Sequence, residues 1–453
     1  GYEAALAGVQ LGAEVTLIER NGVGGAAVLT DVVPSKTLIA TAEAAQRVEH
    51  AATLGVKFSF AGQAVKPKVE IDLAQVNHRL LDLAESQSAD MLETLLNSGV
   101  RVIRGTARLD GNHHVVVDAI EDGKSERLEA KTIIVAVGAH PRQLPDAKPD
   151  GDRIFTWTQL YNLTELPEHM IVIGSGVTGA EFASAYRALG SEVTLISSRD
   201  KVLPGNDEDA ADLIERVFRR NGINIQSKTR ADKVVNTGEG VEVTLADGTV
   251  IKGSHCLMAV GAIPNTEGLG LEEAGVILTE SGHVEVNKVA RTSRANVYAV
   301  GDCTNFLPLA SVSAMQGRTA VFHTMGDIAA PTELRNVASN VFTTPEISSV
   351  GWMEKDIKEG RVNGRVEKIE LHTNPRAKML GIEDGFIKLI CSTGGTVIGG
   401  VIAAPRASDL IYSIAIAIEN RLTVDELAKT FTVYPSISGS ISDAARALHT
   451  PSV

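Results

Sequence analysis

Residues 1–18, GYEAALAGVQLGAEVTLI, recur as residues 179–196, GAEFASAYRALGSEVTLI, and this internal repeat constrains the fold more than any other feature of the chain. The pattern Leu-Gly-x-Glu-Val-Thr-Leu-Ile is intact in both copies, at residues 11–18 and 189–196. Each copy reads as an amphipathic helix, a glycine turn (Gly12, Gly190) and an apolar strand of the kind buried in a parallel sheet. At roughly 100–200 residues per domain, 453 residues predict two to four domains.

The second copy carries a fuller signal. Met170-Ile171-Val172-Ile173 is a short apolar strand, and Gly174-Ser175-Gly176-Val177-Thr178-Gly179 follows it and opens the helix. A G-x-G-x-x-G string alone arises by chance, but between a strand and a helix it is a dinucleotide fingerprint. Its glycines let a pyrophosphate reach backbone N–H groups at a helix N-terminus, where the dipole favours an anion. By the same offset Gly1 is the third glycine of a first fingerprint, and at least nine residues matching 170–178 are expected before it.

The ribose-reading position, about 20 residues after the fingerprint begins, differs between the copies. Glu19 closes the first strand and suits an adenosine ribose; the second copy has Ser197, then Ser198 and Arg199. Losing the carboxylate removes repulsion against a 2′-phosphate, and Arg199 either pairs with that phosphate or is an ordinary surface arginine. NADPH is therefore expected to serve at least as well as NADH. Three more segments end a strand on glycine: Ile133-Ile134-Val135-Ala136-Val137-Gly138, Met258-Ala259-Val260-Gly261 and Val297-Tyr298-Ala299-Val300-Gly301-Asp302.

Composition narrows the field. A net charge of −13 argues against a nucleic-acid partner. No apolar run reaches the ~18 residues of a membrane span. Three cysteines exclude a disulfide scaffold and a four-cysteine metal site, and no metal is expected. With no secretory h-region, a cytoplasmic protein is the default expectation.

Together these motifs resemble the flavoprotein disulfide reductases, the family of lipoamide dehydrogenase and glutathione reductase. The resemblance also rests on Gly24-Gly25 leading to Val33-Pro34-Ser35-Lys36, on Gly261-Ala262-Ile263-Pro264-Asn265, and on Val341-Phe342-Thr343-Thr344-Pro345-Glu346. It implies an α/β fold with two Rossmann-like dinucleotide-binding domains, for FAD and for NAD(P), and a C-terminal α+β dimerisation domain. The implied boundaries are 1–150 and 267–331 for FAD, 151–266 for NAD(P), and 332–453 for the interface of a homodimer. The apolar helix expected from Asp409 to Ile418 is read as dimer packing. FAD is implied at Gly1, Glu19, Arg20, Gly24, Gly25, Ala26, Lys36, Ala107, Gly138, Gly301, Asp302, Leu309 and Ala310. The pyridine nucleotide, NADPH or NADH, is implied at Gly174, Gly176, Val177, Thr178, Gly179, Glu181, Ser197, Ser198, Arg199 and Gly261.

The chain departs from that family where its chemistry lives. The C-x-x-x-x-C redox pair falls on Ala27 and Val32, neither of which can form a thiolate. The C-terminal His-Pro-Thr signature and its acid fall on Tyr434-Pro435-Ser436-Ile437-Ser438-Gly439. Tyrosine, with an ordinary pKa of about 10, is a poor base near neutrality, so Tyr434 either does proton chemistry or fills the vacated pocket. Cys256 and Cys391 read as buried structural thiols, and Cys303 has no C-x-x-C partner. What survives is Lys36, matching the family lysine beside the flavin, and Glu181, matching its glutamate partner.

A flavin that accepts hydride without a disulfide relay must pass its electrons to an external oxidant. A flat apolar acceptor of the quinone type suits the slot left by Ala27 and Val32. Gly-Gly-Ala-Ala-Val-Leu, Ala310-Ser311-Val312-Ser313-Ala314-Met315-Gln316 and the Tyr-Pro-Ser ending resemble the cysteine-deficient NAD(P)H–quinone reductase branch, once named as lipoamide dehydrogenases. Two alternatives stay open: a soluble pyridine-nucleotide transhydrogenase, and a non-catalytic dimer holding FAD and NAD(P)H as structural ligands.

Overall fold

The computed structural model describes residues 1–61, 63–65, 68–121 and 123–449. The chain packs as two compact units, each assembled from three separated stretches.

The first unit comprises Gly1–Ser35, His78–Arg142 and Gly261–Leu334. Its strand Thr16–Glu19 pairs in parallel with Arg101–Leu109, and His114–Ala119 and Ser125–Glu129 continue that sheet antiparallel. Ile133–Val135 and Val297–Ala299 form a second, parallel pair. The helix Tyr2–Gln10 lies close against the helix Ala310–Met325 at Gly317, where a Cβ would stand 3.2 Å from the Ala4 backbone, a tight contact. Small residues there let two helix backbones approach. Val135, Val284, Val297, Ala299 and Cys303 form the apolar cluster beneath the glycine-ended strands.

The second unit comprises Lys36–Asn77, Gln143–Val260 and Arg335–Val453. It holds a five-stranded parallel sheet in the order Asn224–Gln226, Glu192–Ile196, His169–Ile173, His255–Met258, Ile154–Thr156. The middle strand is covered on both faces, and Met170, Ile171 and Val172 are fully buried, which is why it reads as an unbroken apolar run. The helix Val177–Leu189 follows it and buries small residues on nearly every side (Gly179, Ala180, Ala183, Ala185). The second copy of the repeat is thus a β–α–β unit, and the glycine fingerprint forms its first turn.

The C-terminal stretch forms a five-stranded antiparallel sheet in the order Ser339–Val341, Glu346–Gly351, Val397–Ala404, Phe386–Ser392, Gly364–Glu370. The helices Ala407–Glu419 and Gly439–Ala447 share its core, with Ile411, Ile414, Ala417 and Ala444 buried. The helix expected over 409–418 is therefore slightly longer, and it presents two faces. Ile411 and Ile414 pack inward, while Tyr412 and Ile416 are exposed. No helix among the described residues is long and apolar enough to cross a membrane.

Candidate active site

Each glycine of the 174–179 turn has a separate physical reason. A Cβ on Gly174 would stand 2.1 Å from Ala259 O, and one on Gly179 would stand 1.8 Å from Gly174 O. Neither position admits a side chain. Gly176, the helix N-cap, meets nothing within 4 Å. Open space at the N-cap of a thirteen-residue helix, with first-turn N–H groups at Val177, Thr178 and Gly179, is what a pyrophosphate requires. Fit to a dinucleotide therefore rests on the shape of this turn.

The ribose edge is arranged differently from the sequence expectation in one respect. Ser197 is fully buried, and its Oγ lies 2.7 Å from Ser175 Oγ and accepts from Arg199 N at 3.1 Å. Its side chain braces the fingerprint turn from within. Ser198 and Arg199 are exposed beside it, and Arg199 has no ion-pair partner among the described residues. Lys228 N donates to Arg199 O at 3.0 Å, and its ammonium lies 3.7 Å from Asp200 Oδ1, next to Arg199 in the chain. Sequence reasoning passed over Lys228, because only the pairing of Asn224–Gln226 with Glu192–Ile196 makes it a neighbour.

Lys36 and Glu181 stand 145 residues apart in the chain and in direct contact in space. Lys36 Nζ donates to Glu181 Oε2 at 2.8 Å. Glu181 lies in the Val177–Leu189 helix with its side chain only 5% exposed, so its charge needs compensation. It receives two donors, Lys36 Nζ and Phe342 N, the latter at 2.9 Å to Oε1. The Phe342 ring lies 4.9 Å from Lys36 Nζ and adds a cation–π contact. Phe342 belongs to a quoted motif, yet its role was not legible: a backbone N–H leaves no trace in residue type.

Of the residues expected at FAD, all but Lys36 lie in the first unit, as does Gly261, which was expected at the pyridine nucleotide. Gly1 caps the helix Tyr2–Gln10, and its carbonyl accepts from Ala5 N at 2.9 Å. Glu19 ends its strand and accepts from Asn21 N at 2.9 Å, ordering the turn that carries Arg20, which is exposed. Gly24, at φ +98°, would push a Cβ to 2.4 Å from Val28 Cγ2, whereas Gly25 and Gly138 face open space and Ala26 is exposed. Asn265 clamps the Gly138 turn by donating from N to Gly138 O and from Nδ2 to Val137 O. Gly261, at φ +94°, also faces open space. Ala107 packs with Val117 and Ile133. Gly301 takes φ +78°, and its N–H donates to the buried Gln316 Oε1 at 2.8 Å. Burial raises the Asp302 carboxyl above its ordinary range, partly opposed by His283. Leu309 caps the helix that Ala310 begins. Among the described residues Gln316 Nε2 is buried without a hydrogen-bond partner, and a Cβ on Gly25 or Gly138 would meet nothing within 4 Å; these fit a large polar cofactor such as FAD.

Cys256, Cys303 and Cys391 are free and buried, and burial pushes all three thiols up, Cys303 to about 11. Ala27 and Val32 stand where a redox pair would be needed. Tyr434 is 82% exposed, and Phe431 and Val433 beside it are fully or mostly exposed. Among the described residues no group of three or more His, Cys, Asp or Glu side chains is arranged to hold a metal ion.

Comparison with known proteins agrees with this geometry. Residues 1–317 match the family described as pyridine nucleotide-disulphide oxidoreductase, and residues 337–445 match the dimerisation domain of that family. The chain is 48% identical over 457 aligned positions to an NAD(P)H dehydrogenase (quinone) of Mycobacterium tuberculosis, covering 99% of this chain and 92% of that protein. It is 31% identical to a dihydrolipoyl dehydrogenase of Geobacillus stearothermophilus, covering all of this chain and 94% of the relative. The crystal structure of LpdA from Mycobacterium tuberculosis superposes with a TM-score of 0.94 at 47% identity, covering 99% of this chain and 97% of that one. The HOCl-induced flavoprotein disulfide reductase RclA of Escherichia coli, at 24% identity and TM-score 0.85, shares the fold. Two dinucleotide-type folds, their glycine turns and these full-length similarities place the chain in the pyridine nucleotide-disulphide oxidoreductase family.

Proposed function

We propose that this chain is an FAD-dependent NAD(P)H:quinone oxidoreductase that works without a disulfide relay. The observation that carries the reading is selective retention. The Lys36–Glu181 pair of the hydride half-reaction is assembled, while the positions of a dithiol relay hold Ala27 and Val32. FAD, when bound, supplies a two-electron acceptor for the hydride and a donor to the quinone. The residues supply the rest. The 174–179 turn binds the pyrophosphate of NAD(P)H, Glu181 fixes Lys36, and the Lys36 ammonium stabilises negative charge on the reduced cofactor. Arg199 extends the reading to NADPH, used at least as well as NADH.

Residues 1–150 and 267–331 serve FAD, 151–266 serve NAD(P)H, and 332–453 form the interface of a homodimer. The exposed Tyr412, Ile416, Phe431 and Tyr434 support that assignment, since apolar side chains in such numbers call for a covering surface. Three free thiols suit a reducing compartment, and we place the protein in the cytoplasm. The test is steady-state NAD(P)H oxidation with a benzoquinone, with a thio-NAD analogue, and with neither. Quinone-dependent turnover supports the reading, transfer to thio-NAD favours a transhydrogenase, and silence with both leaves a non-catalytic binding dimer.

A further inference from the structure

Lys388 is the one charged residue in the strand Phe386–Ser392, whose other members up to Cys391 are apolar and buried. It is 1% exposed. Its Nζ contacts three carboxylates: Asp207 (2.9 Å to both oxygens), Asp209 (2.7 Å) and Glu354 (2.7 Å). Burial pulls its pKa down, but hydrogen bonds that its ammonium donates to Asp209, Glu354 and Asp207 outweigh that and raise it, so the ammonium stays charged. Directly across the strand pair stands Lys368, a like charge that Asp209 also reaches at 3.5 Å. A fully buried, triply paired lysine is a costly arrangement that an apolar side chain would replace without loss of packing.

Its position suggests what the arrangement does. Asp207 ends the segment that leaves the ribose edge at Ser198 and Arg199, and it caps the helix Glu208–Arg220. Within that segment Asn206 N donates to Leu203 O at 3.0 Å, and Leu203 N donates to Ser175 O at 2.9 Å. Ser175 is the middle of the Gly174-Ser175-Gly176 turn. Leu203 is buried at φ +54°, a left-handed conformation that persists only where its surroundings hold it. The segment is therefore tied at one end to the fingerprint turn and at the other to the C-terminal sheet.

The geometry points to Lys388 as a positioning residue for NAD(P)H: through Asp207 it pins the 198–207 segment, and with it the Ser175 turn, to the C-terminal sheet. This rests on the assignment of the 174–179 turn to the nucleotide. Asp207→Asn is the cleanest probe, because asparagine caps a helix as well as aspartate while giving up the ion pair. Lys388→Met removes the cation itself. Titration of FAD-loaded protein with NADP⁺ and with NAD⁺ is expected to show about tenfold weaker binding in D207N and K388M, with the flavin spectrum unchanged. In turnover the KM for NADPH rises by a similar factor while kcat stays within about twofold. Glu354→Gln, which weakens the cluster but leaves the Asp207 tether, is expected to bind within about twofold of the parent. Unaltered binding in folded, flavin-loaded D207N overturns the proposal, and so does E354Q weakening binding as much as D207N. Because binding is read directly, an absence of quinone turnover would fault the proposed reaction and leave this inference standing. K388M that fails to fold leaves D207N and E354Q to decide.

Discussion

Lys36 Nζ lies 2.8 Å from Glu181 Oε2, and the second oxygen of Glu181 is held by Phe342 N at 2.9 Å. The carboxylate is thus fixed at both oxygens, and the ammonium is fixed by it. A cation held this way needs no reorganisation when negative charge develops nearby, which is the condition under which electrostatic stabilisation is strongest. Lys36→Ala is expected to slow flavin reduction by NADPH by roughly 100-fold, with flavin content retained. Glu181→Gln keeps the acceptor for Phe342 N but loses the charge, and a smaller loss of roughly tenfold is expected. Stopped-flow measurement of flavin reduction tests both; an unchanged single-turnover rate in K36A would remove the pair from the mechanism.

The three fingerprint glycines are not equivalent. Gly179→Ala would place a methyl 1.8 Å from Gly174 O, and a destabilisation of roughly 3 kcal/mol with loss of nucleotide binding is expected. Gly176→Ala meets open space and is expected to keep the parent melting temperature while raising the KM for NADPH about tenfold. Thermal melts alongside kinetics separate the two. Equal stability losses would contradict the packing described here.

Arg199 is exposed and has no ion-pair partner among the described residues. Arg199→Ala is expected to lower kcat/KM for NADPH by about tenfold and leave NADH within about twofold, the signature of a lost phosphate contact. A parent enzyme with strong NADH preference would sink this assignment.

Burial holds the Cys303 thiol up at about 11, above the ordinary cysteine value. The folded state therefore keeps a proton that the unfolded chain releases. That preference is fully present below the unfolded value and disappears as pH rises through 11. The parent is expected to lose about 2–3 kcal/mol more stability than Cys303→Ala as pH rises from about 8 to about 11. Denaturant titrations of both proteins across that range test it. Parallel curves would mean the thiol ionises as freely folded as unfolded.

Tyr434 is exposed in the single chain, and its phenol has no partner there among the described residues. If it fills a pocket at the dimer interface, Tyr434→Phe will reduce quinone at a rate within about twofold of the parent, and its pH profile will not move. A large fall in kcat with a displaced pH optimum would assign it proton chemistry.

Much of this protein follows from residue order. The repeat at 1–18 and 179–196, the glycine turn after Ile173 and the missing thiols at 27 and 32 are local patterns, and local patterns are set by backbone sterics and by what a side chain can ionise. They were enough to indicate the α/β architecture and the dinucleotide turns. The family resemblance also named Lys36 and Glu181 as partners. The third partner, Phe342 N, was decided by tertiary structure, since it reaches Glu181 across 161 residues through a backbone group that sequence cannot mark. Ser197 shows the same limit. Its residue type suggested a ribose edge, but a buried hydroxyl must find a partner, and the nearest one is Ser175 inside the turn. Nothing in residue order marks Lys388; only the folded chain places Asp207, Asp209 and Glu354 around it, because a charge taken out of water is stable only where the fold delivers its counter-charges.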